Sequence, residues 1–201
     1  VRMKEKVVVC FGPGPKFKGG IQNYNTSLAL AFDKLPNTRV HIVSWTQQYP
    51  AIVPREFVDK SSKSDLLEGS EVSVTYLTNY NKPKTWRETA RHIISLSPDV
   101  VVFQWSIALQ GLPIGSIIKK LKKAGLHVVV DVHFVIQKEH SALDKLLTKF
   151  GLKHAHSFVT HAMHTLEELK LVFPQRTFKR VDNLNLNEKD SFQVLKLYHP
   201  I

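Results

Sequence analysis

Residues 6–20 read Lys6-Val7-Val8-Val9-Cys10-Phe11-Gly12-Pro13-Gly14-Pro15-Lys16-Phe17-Lys18-Gly19-Gly20. The first six form an apolar, β-branched run that suits a buried strand. Glycine and proline then punctuate the chain, and a helical pattern sets in from Ile21. Gly19 and Gly20 bring bare backbone N–H groups and the positive end of a helix dipole to the edge of the loop. That combination suits the phosphates of a nucleotide or nucleotide-sugar. Glycines also make ordinary strand-to-helix turns, so the pair gains weight only from the rest of the chain. Gly12, Gly14, Gly19 and Gly20 do not have the G-x-G-x-x-G spacing of dinucleotide folds.

Working outward, apolar runs recur at Arg39–Trp45, Val72–Leu77, Asp99–Trp105 and His127–His133. The run at 72–77 alternates and predicts a half-exposed strand. Those at 99–105 and 127–133 are nearly continuous, as strands covered on both faces should be. Phe158–Thr160 and Phe192–Tyr198 are shorter candidates. Helical patterns fill the gaps. Ile21, Tyr24, Leu28, Phe32 and Leu35 share one face, and Thr85 with Glu88 has the spacing of a capping box for a helix to about Leu96. Ile117, Ile118 and Leu121 oppose Lys119, Lys120, Lys122 and Lys123, and Gly125 ends that helix. Leu143, Leu146, Leu147 and Phe150 mark an inward face, with Lys145, Lys149 and Lys153 outward. Thr165 with Glu168 opens a last helix, with Leu166, Leu169, Val172 and Phe173 inward and Pro174 as its stop.

Strands alternating with helices predict an α/β fold: a Rossmann-like, doubly wound, mostly parallel sheet with helices on both faces. Ligands of such sheets bind beyond the carboxyl ends of the strands. Gly19, Trp45, Gln104, Trp105 and His133 all fall at or just past such ends. Thr46–Gly69 is the least regular stretch, with the polar run Asp59–Asp65 inside it, and Asp182–Asp190 is polar and turn-like.

The chain has 201 residues, 43% of them apolar, and a net charge of +11. That is enough for one sizeable α/β domain and too apolar for a disordered chain. The charge calls for an anionic partner: a phosphate-bearing substrate, an anionic lipid surface or nucleic acid. The single cysteine, Cys10, lies in an apolar run and reads as a small buried hydrophobe in a reducing, cytoplasmic setting. No run reaches the roughly 20 apolar residues of a membrane span, and the N-terminus lacks the pattern of a signal peptide.

Taken in order, these motifs resemble the N-terminal half of a GT-B glycosyltransferase of the large retaining family 4. The matching residues are the first strand, the loop ending in Gly19-Gly20, Leu28-Ala29-Leu30-Ala31, the strand Val40–Trp45, Pro98-Asp99-Val100-Val101-Val102, and Val128-Val129-Val130-Asp131-Val132-His133. The end, Tyr198-His199-Pro200-Ile201, looks like the segment leading into an interdomain linker. The resemblance covers most of the chain and implies one domain over residues 1–201, the acceptor side of the enzyme. A C-terminal nucleotide-sugar-binding domain would lie outside this chain, which alone should be inactive. The implied reaction moves a sugar from a UDP- or GDP-sugar co-substrate to a glycan or lipid-linked acceptor, with retention and with no cofactor required. Bacterial envelope polysaccharide synthesis is the implied setting, in the cytoplasm or peripherally on the inner face of the plasma membrane.

The resemblance matches Gly19 and Gly20 to the loop whose amides approach the donor diphosphate, and His133 to the histidine that approaches the transferred sugar. Further candidates for the cleft or acceptor are Lys18, Asn23, Tyr24, Trp45, Gln104 and Trp105. Aromatics at strand ends are also common core edges. Lys119, Lys120, Lys122, Lys123, Lys145 and Lys149 are either solvated helix faces or an anionic-membrane surface. His154, His156, His161 and His164 are close in sequence, but lie on different elements without a cysteine, and no metal site is expected from them. Two rivals remain. One is a non-catalytic nucleotide- or phosphosugar-binding α/β module. The other is a basic nucleic-acid-binding protein, disfavoured because no aromatic-basic strand motif or helix-turn-helix appears.

Overall fold

The computed structural model describes residues 3–53, 66–135, 141–188 and 191–197. The polar run Asp59–Asp65 and the terminal Tyr198–Ile201 lie outside them. Eight strands form one parallel sheet in the order β3-β2-β1-β4-β5-β6-β8-β7, with five helices between strands, a Rossmann-like α/β fold. The chain divides into two compact units, Val1–Val102 and Phe103–Ile201, and the division falls inside a strand, β4 (Val100–Trp105).

The first unit holds β1 (Lys6–Phe11), α1 (Gly20–Asp33), β2 (Thr38–Gln47), β3 (Ser73–Asn79) and α2 (Pro83–Ser95). The register runs Val8 to Val40 and Cys10 to Ile42. These four side chains join Ala29 and Leu67 in a core against which Leu30, Phe32, Val72 and Val74 pack. Burying side chains of this size stabilises the fold by roughly 1.5–3 kcal/mol each before entropy is counted.

Two expectations are corrected in this unit. The face of α1 that carries Ile21, Tyr24, Leu28, Phe32 and Leu35 is only partly covered, with Phe32 packed on the core and Leu35 exposed, and the fully buried residues are Gln22, Asn25, Thr26 and Ala29. These buried polar side chains find partners: Asn25 Nδ2 donates to the Pro13 carbonyl of the Gly-Pro loop at 3.5 Å, and Gln22 Nε2 donates to Thr26 Oγ1 within the helix at 3.1 Å. Thr85 does not cap α2. The helix starts two residues earlier at Pro83, whose fixed φ and missing N–H suit the first helical position. Thr85 Oγ1 instead accepts from the Asn79 N–H at 2.9 Å and donates to the Lys82 carbonyl at 2.7 Å, tying α2 to the end of β3.

The second unit continues from β4 through α3 (Gly111–Lys123), β5 (Val128–Val132), α4 (Ala142–Leu152), β6 (Ser157–Thr160), α5 (Met163–Val172), β7 (Phe178–Val181) and β8 (Phe192–Lys196). All five residues of β5 are buried, Asp131 among the four valines, as a nearly continuous apolar run predicts. Gly125 takes φ 81 and ends α3, its N–H bonding the Lys122 carbonyl at 3.0 Å.

Here too the structure corrects the sequence. Leu143 and Leu146 do not face inward; they are 61% and 64% exposed. The buried face of α4 is Leu147, Thr148, Gly151 and Leu152. Close packing decides it. A Cβ on Gly111 of α3 would sit 2.3 Å from the Leu147 carbonyl oxygen, and one on Gly115 would sit 2.6 Å from that of Phe150. Glycine therefore lets the two helix backbones touch along Leu147, Phe150 and Gly151. Thr165 does not open α5, which begins at Met163 after Ala162; Thr165 is buried inside its first turn. Strand β7 was not anticipated, and β8 lies between it and β6.

Candidate functional site

The first unit presents the loop between β1 and α1. Neighbouring strands hold it in shape: Ser44 Oγ of β2 accepts from the Gly14 N–H at 2.7 Å, and Tyr76 Oη of β3 accepts from the Lys16 N–H at 3.1 Å. A Cβ on Gly14 would lie 3.0 Å from that same hydroxyl. Phe17 is buried beside the Tyr76 ring, and Lys16 Nζ rests over it, 4.2 Å from its centroid. Lys18 is exposed.

Gly19 is the N-cap of α1, at φ 122 and ψ 172, a region open essentially to glycine alone. No side chain caps the helix, and its first turn has no acidic residue. A Cβ on Gly19 or Gly20 would meet nothing within 4 Å. The α1 N-terminus is thus bare and open, with the polarity that favours an anion. Asn23 is exposed and Tyr24 half-buried on its first turn.

Trp45 is no stacking platform. It is buried in the core at the end of β2, edge-on to Phe11 with centroids 5.3 Å apart. Trp105 is likewise fully buried, its indole against Gly151, where a Cβ would approach to 2.5 Å. Position at a strand end does not tell which way a side chain turns, and at both places the large ring fills the interior.

The second unit gathers a polar cluster at the carboxyl ends of β4, β5 and β6. Asp131 and His133 are two residues apart on one strand and its extension, so they project from the same side. Val132 is paired with Thr160, which brings His161, one residue on, abreast of His133. His161 Nε2 donates to Asp131 Oδ1 at 2.6 Å, and His133 Nε2 lies 4.0 Å from the same oxygen. The two imidazoles stack with centroids 5.4 Å apart and planes 16° from parallel. On the other side Gln104 Oε1 accepts from His133 Nε2 at 2.6 Å. Gln104 is 3% exposed, and its amide nitrogen has no hydrogen-bond partner among the described residues.

Of the sequence candidates, His133 and Gln104 thus come together, and Asp131 and His161 join them. Neither of the latter was singled out as a site residue. The Asp-x-His spacing at a strand end was the available signal. The other histidines disperse. His156 is buried, its Nδ1 accepting from the Val128 N–H at 3.1 Å, and it stacks on His127. His164 is exposed. The metal-like grouping is Asp131, His133 and His161, whose ligand atoms lie within 4.8 Å of one another. Of the four histidines weighed from the sequence, only His161 belongs to it.

Lys119, Lys120 and Lys123 of α3 are exposed and Lys122 half-buried; Lys145 and Lys149 of α4 are exposed beside Leu143 and Leu146. No described helix is long and apolar enough to cross a membrane.

No family model matches the chain, and no curated protein matches it. Solved structures do. One is Anabaena HepE in complex with UDP, 10% identical, with 94% of this chain and 43% of that one covered at a TM-score of 0.54. Another is the UDP-N-acetylglucosamine 2-epimerase of Rickettsia bellii, 13% identical, with 95% and 44% covered at 0.54. A third is the N-terminal domain of Candida albicans trehalose-6-phosphate phosphatase, 9% identical, with 97% and 49% covered at 0.53. The fold is GT-B-like. At these identities the likeness shows the fold alone, and the chain spans less than half the length of each of these structures.

Proposed function

We propose that this chain is the N-terminal, acceptor-side domain of a retaining GT-B glycosyltransferase of the family 4 type, and that its partner domain, which binds the nucleotide-sugar, lies outside residues 1–201. The observation that carries this is the open, uncapped start of α1 at Gly19-Gly20, on a fold similar to that of a protein solved with UDP. In this reading the Gly19 and Gly20 amides approach the diphosphate of a UDP- or GDP-sugar. They stabilise the leaving charge by preorganised N–H groups, with no cofactor required. His133, oriented by Gln104, hydrogen-bonds a hydroxyl of the transferred sugar. Lys18, Asn23 and Tyr24 line the approach to the loop.

The acceptor is a glycan or a lipid-linked glycan. The lysines of α3 and α4, with Leu143 and Leu146 exposed among those of α4, suit an anionic membrane surface, such as the inner face of a bacterial plasma membrane. The test is sugar transfer by the complete reading frame that contains this chain. The expected result is consumption of a UDP- or GDP-sugar, a product with the donor's anomeric configuration by NMR, and no activity from residues 1–201 alone. A reading frame that encodes no second doubly wound domain, together with no transfer, overturns the proposal.

A further inference from the structure

We infer that Asp131, His133 and His161 form a binding site for a borderline divalent transition-metal ion, of which Zn2+ and Co2+ are representative. The inference stands on this cluster alone and does not depend on the glycosyltransfer reading. Three features carry it. First, two imidazoles and one carboxylate are a donor set such ions favour, and their ligand atoms already lie within 4.8 Å of one another. Second, the backbone holds them there. Asp131 and His133 share one side of β5 and its extension, and the Val132–Thr160 register sets His161 beside them. Third, all three are largely withdrawn from water: their side chains are 3%, 9% and 10% exposed. A buried carboxylate facing two imidazoles gains most from a cation that all three can share.

The adjustment required is a rearrangement of side chains, the largest part of it between the two imidazoles, whose ligand atoms lie within 4.8 Å of each other and must close by up to about 1.5 Å. Ligand bonds of about 2.0–2.1 Å in a tetrahedral site place the donors about 3.3 Å apart. The Asp131–His161 pair, at 2.6 Å, must open by roughly 0.7 Å, and the Asp131–His133 pair, at 4.0 Å, must close by as much. Side-chain rotation supplies such shifts without moving the strands. The Nε2 protons now directed at Asp131 and Gln104 shift to the Nδ1 nitrogens, so each imidazole offers its Nε2 lone pair and no net proton is lost. The amide oxygen of Gln104, 2.6 Å from His133 Nε2, is a fourth donor atom within reach.

Cobalt is the probe, because its visible absorption reports both binding and coordination number. Titration of the metal-free full chain with Co2+ is expected to give one equivalent bound, with the intense d–d bands of a four- or five-coordinate ion that Zn2+ abolishes. His161→Ala and His133→Ala are each expected to weaken binding by about a hundred-fold or more, since even outer-shell changes cost 10–100-fold. His164→Ala, the exposed neighbour on the same segment, leaves the spectrum unchanged. His161→Gln keeps a donor to Asp131 and guards against unfolding as the cause of loss; a thermal melt of each variant checks this. A spectrum no stronger than that of hexaaquo cobalt with the unaltered chain overturns the inference. So does a spectrum that survives in folded His161→Gln.

Discussion

Gln104 Oε1 and His133 Nε2 are joined by a 2.6 Å hydrogen bond between the ends of neighbouring strands β4 and β5. An amide oxygen only accepts, so the bond assigns the proton to Nε2 of His133. Gln104→Leu removes the acceptor while keeping most of the volume. It is expected to destabilise the chain by about 1–2 kcal/mol in urea unfolding. It also shifts the 15N resonances of the His133 ring, because the tautomer is no longer held. An unchanged His133 spectrum would show that the amide does not orient the ring.

Gly19 and Gly20 sit side by side, yet their substitution should behave differently. Gly19→Ala forces a Cβ into φ 122, at a cost of about 1–3 kcal/mol. Gly20→Ala enters open space and should leave the melting temperature nearly unchanged. If the amides of this turn meet a diphosphate, Gly20→Val in the complete protein weakens UDP binding without loss of stability. Calorimetric titration with UDP, alongside a thermal melt, separates the two effects.

Gly151 lies under the Trp105 indole, where a Cβ would come within 2.5 Å of ring carbons. Gly151→Ala is expected to cost about 1–3 kcal/mol through overpacking. Near-ultraviolet circular dichroism should show Trp105 displaced. Gly69→Ala, where only a positive φ and no neighbour opposes the methyl, should leave that signal intact.

His154 provides a pH dependence. Burial lowers its pKa below the usual 6.5, and Lys153, Lys122, Lys119 and Arg176 lower it further. Its Nε2 has no hydrogen-bond partner among the described residues. The unfolded chain therefore binds the proton more readily than the folded one. The stability is fully present above pH 6.5 and is lost as the pH falls through the folded-state pKa. His154→Gln should flatten part of that loss when urea midpoints are compared between neutral and mildly acidic pH. An identical slope for both proteins would remove His154 from the account.

Leu143 and Leu146 are exposed on α4, as are Lys145 and Lys149. Co-sedimentation with vesicles rich in phosphatidylserine is expected at low salt and should fall as salt rises, each lysine near the surface contributing on the order of 1 kcal/mol. Replacing both leucines with Glu should abolish binding without shifting the melting temperature. Binding that ignores salt and the leucines alike would assign these lysines to plain solvation.

The buried parallel strands were the most legible part of the sequence, because Val7–Phe11, Val100–Phe103 and, but for Asp131, Val128–Val132 run continuously apolar, as strands covered on both faces do. Helix orientation was less legible. On α1 the buried side carries polar residues that pair locally, Gln22 with Thr26 and Asn25 with the Pro13 carbonyl, and on α4 it is set by two glycines of α3. Strand β7 carries exposed Lys179 and Arg180 and leaves little apolar signal. His133 could be found from its place after a strand. Asp131 was hidden inside an apolar run, and His161 is a neighbour by strand register, which no spacing along the chain reveals.

The contact of α3 with α4 through Gly111 and Gly115 has a mechanical consequence. Helices separated by long side chains can slide or tilt as those side chains change rotamer. Here carbonyl oxygens lie where side chains would begin, so α4 is keyed to its neighbour and has little freedom to lift. Whatever meets Leu143 and Leu146 meets a stiff ridge rather than a flap, and a load placed on that ridge passes directly into the helix beneath it.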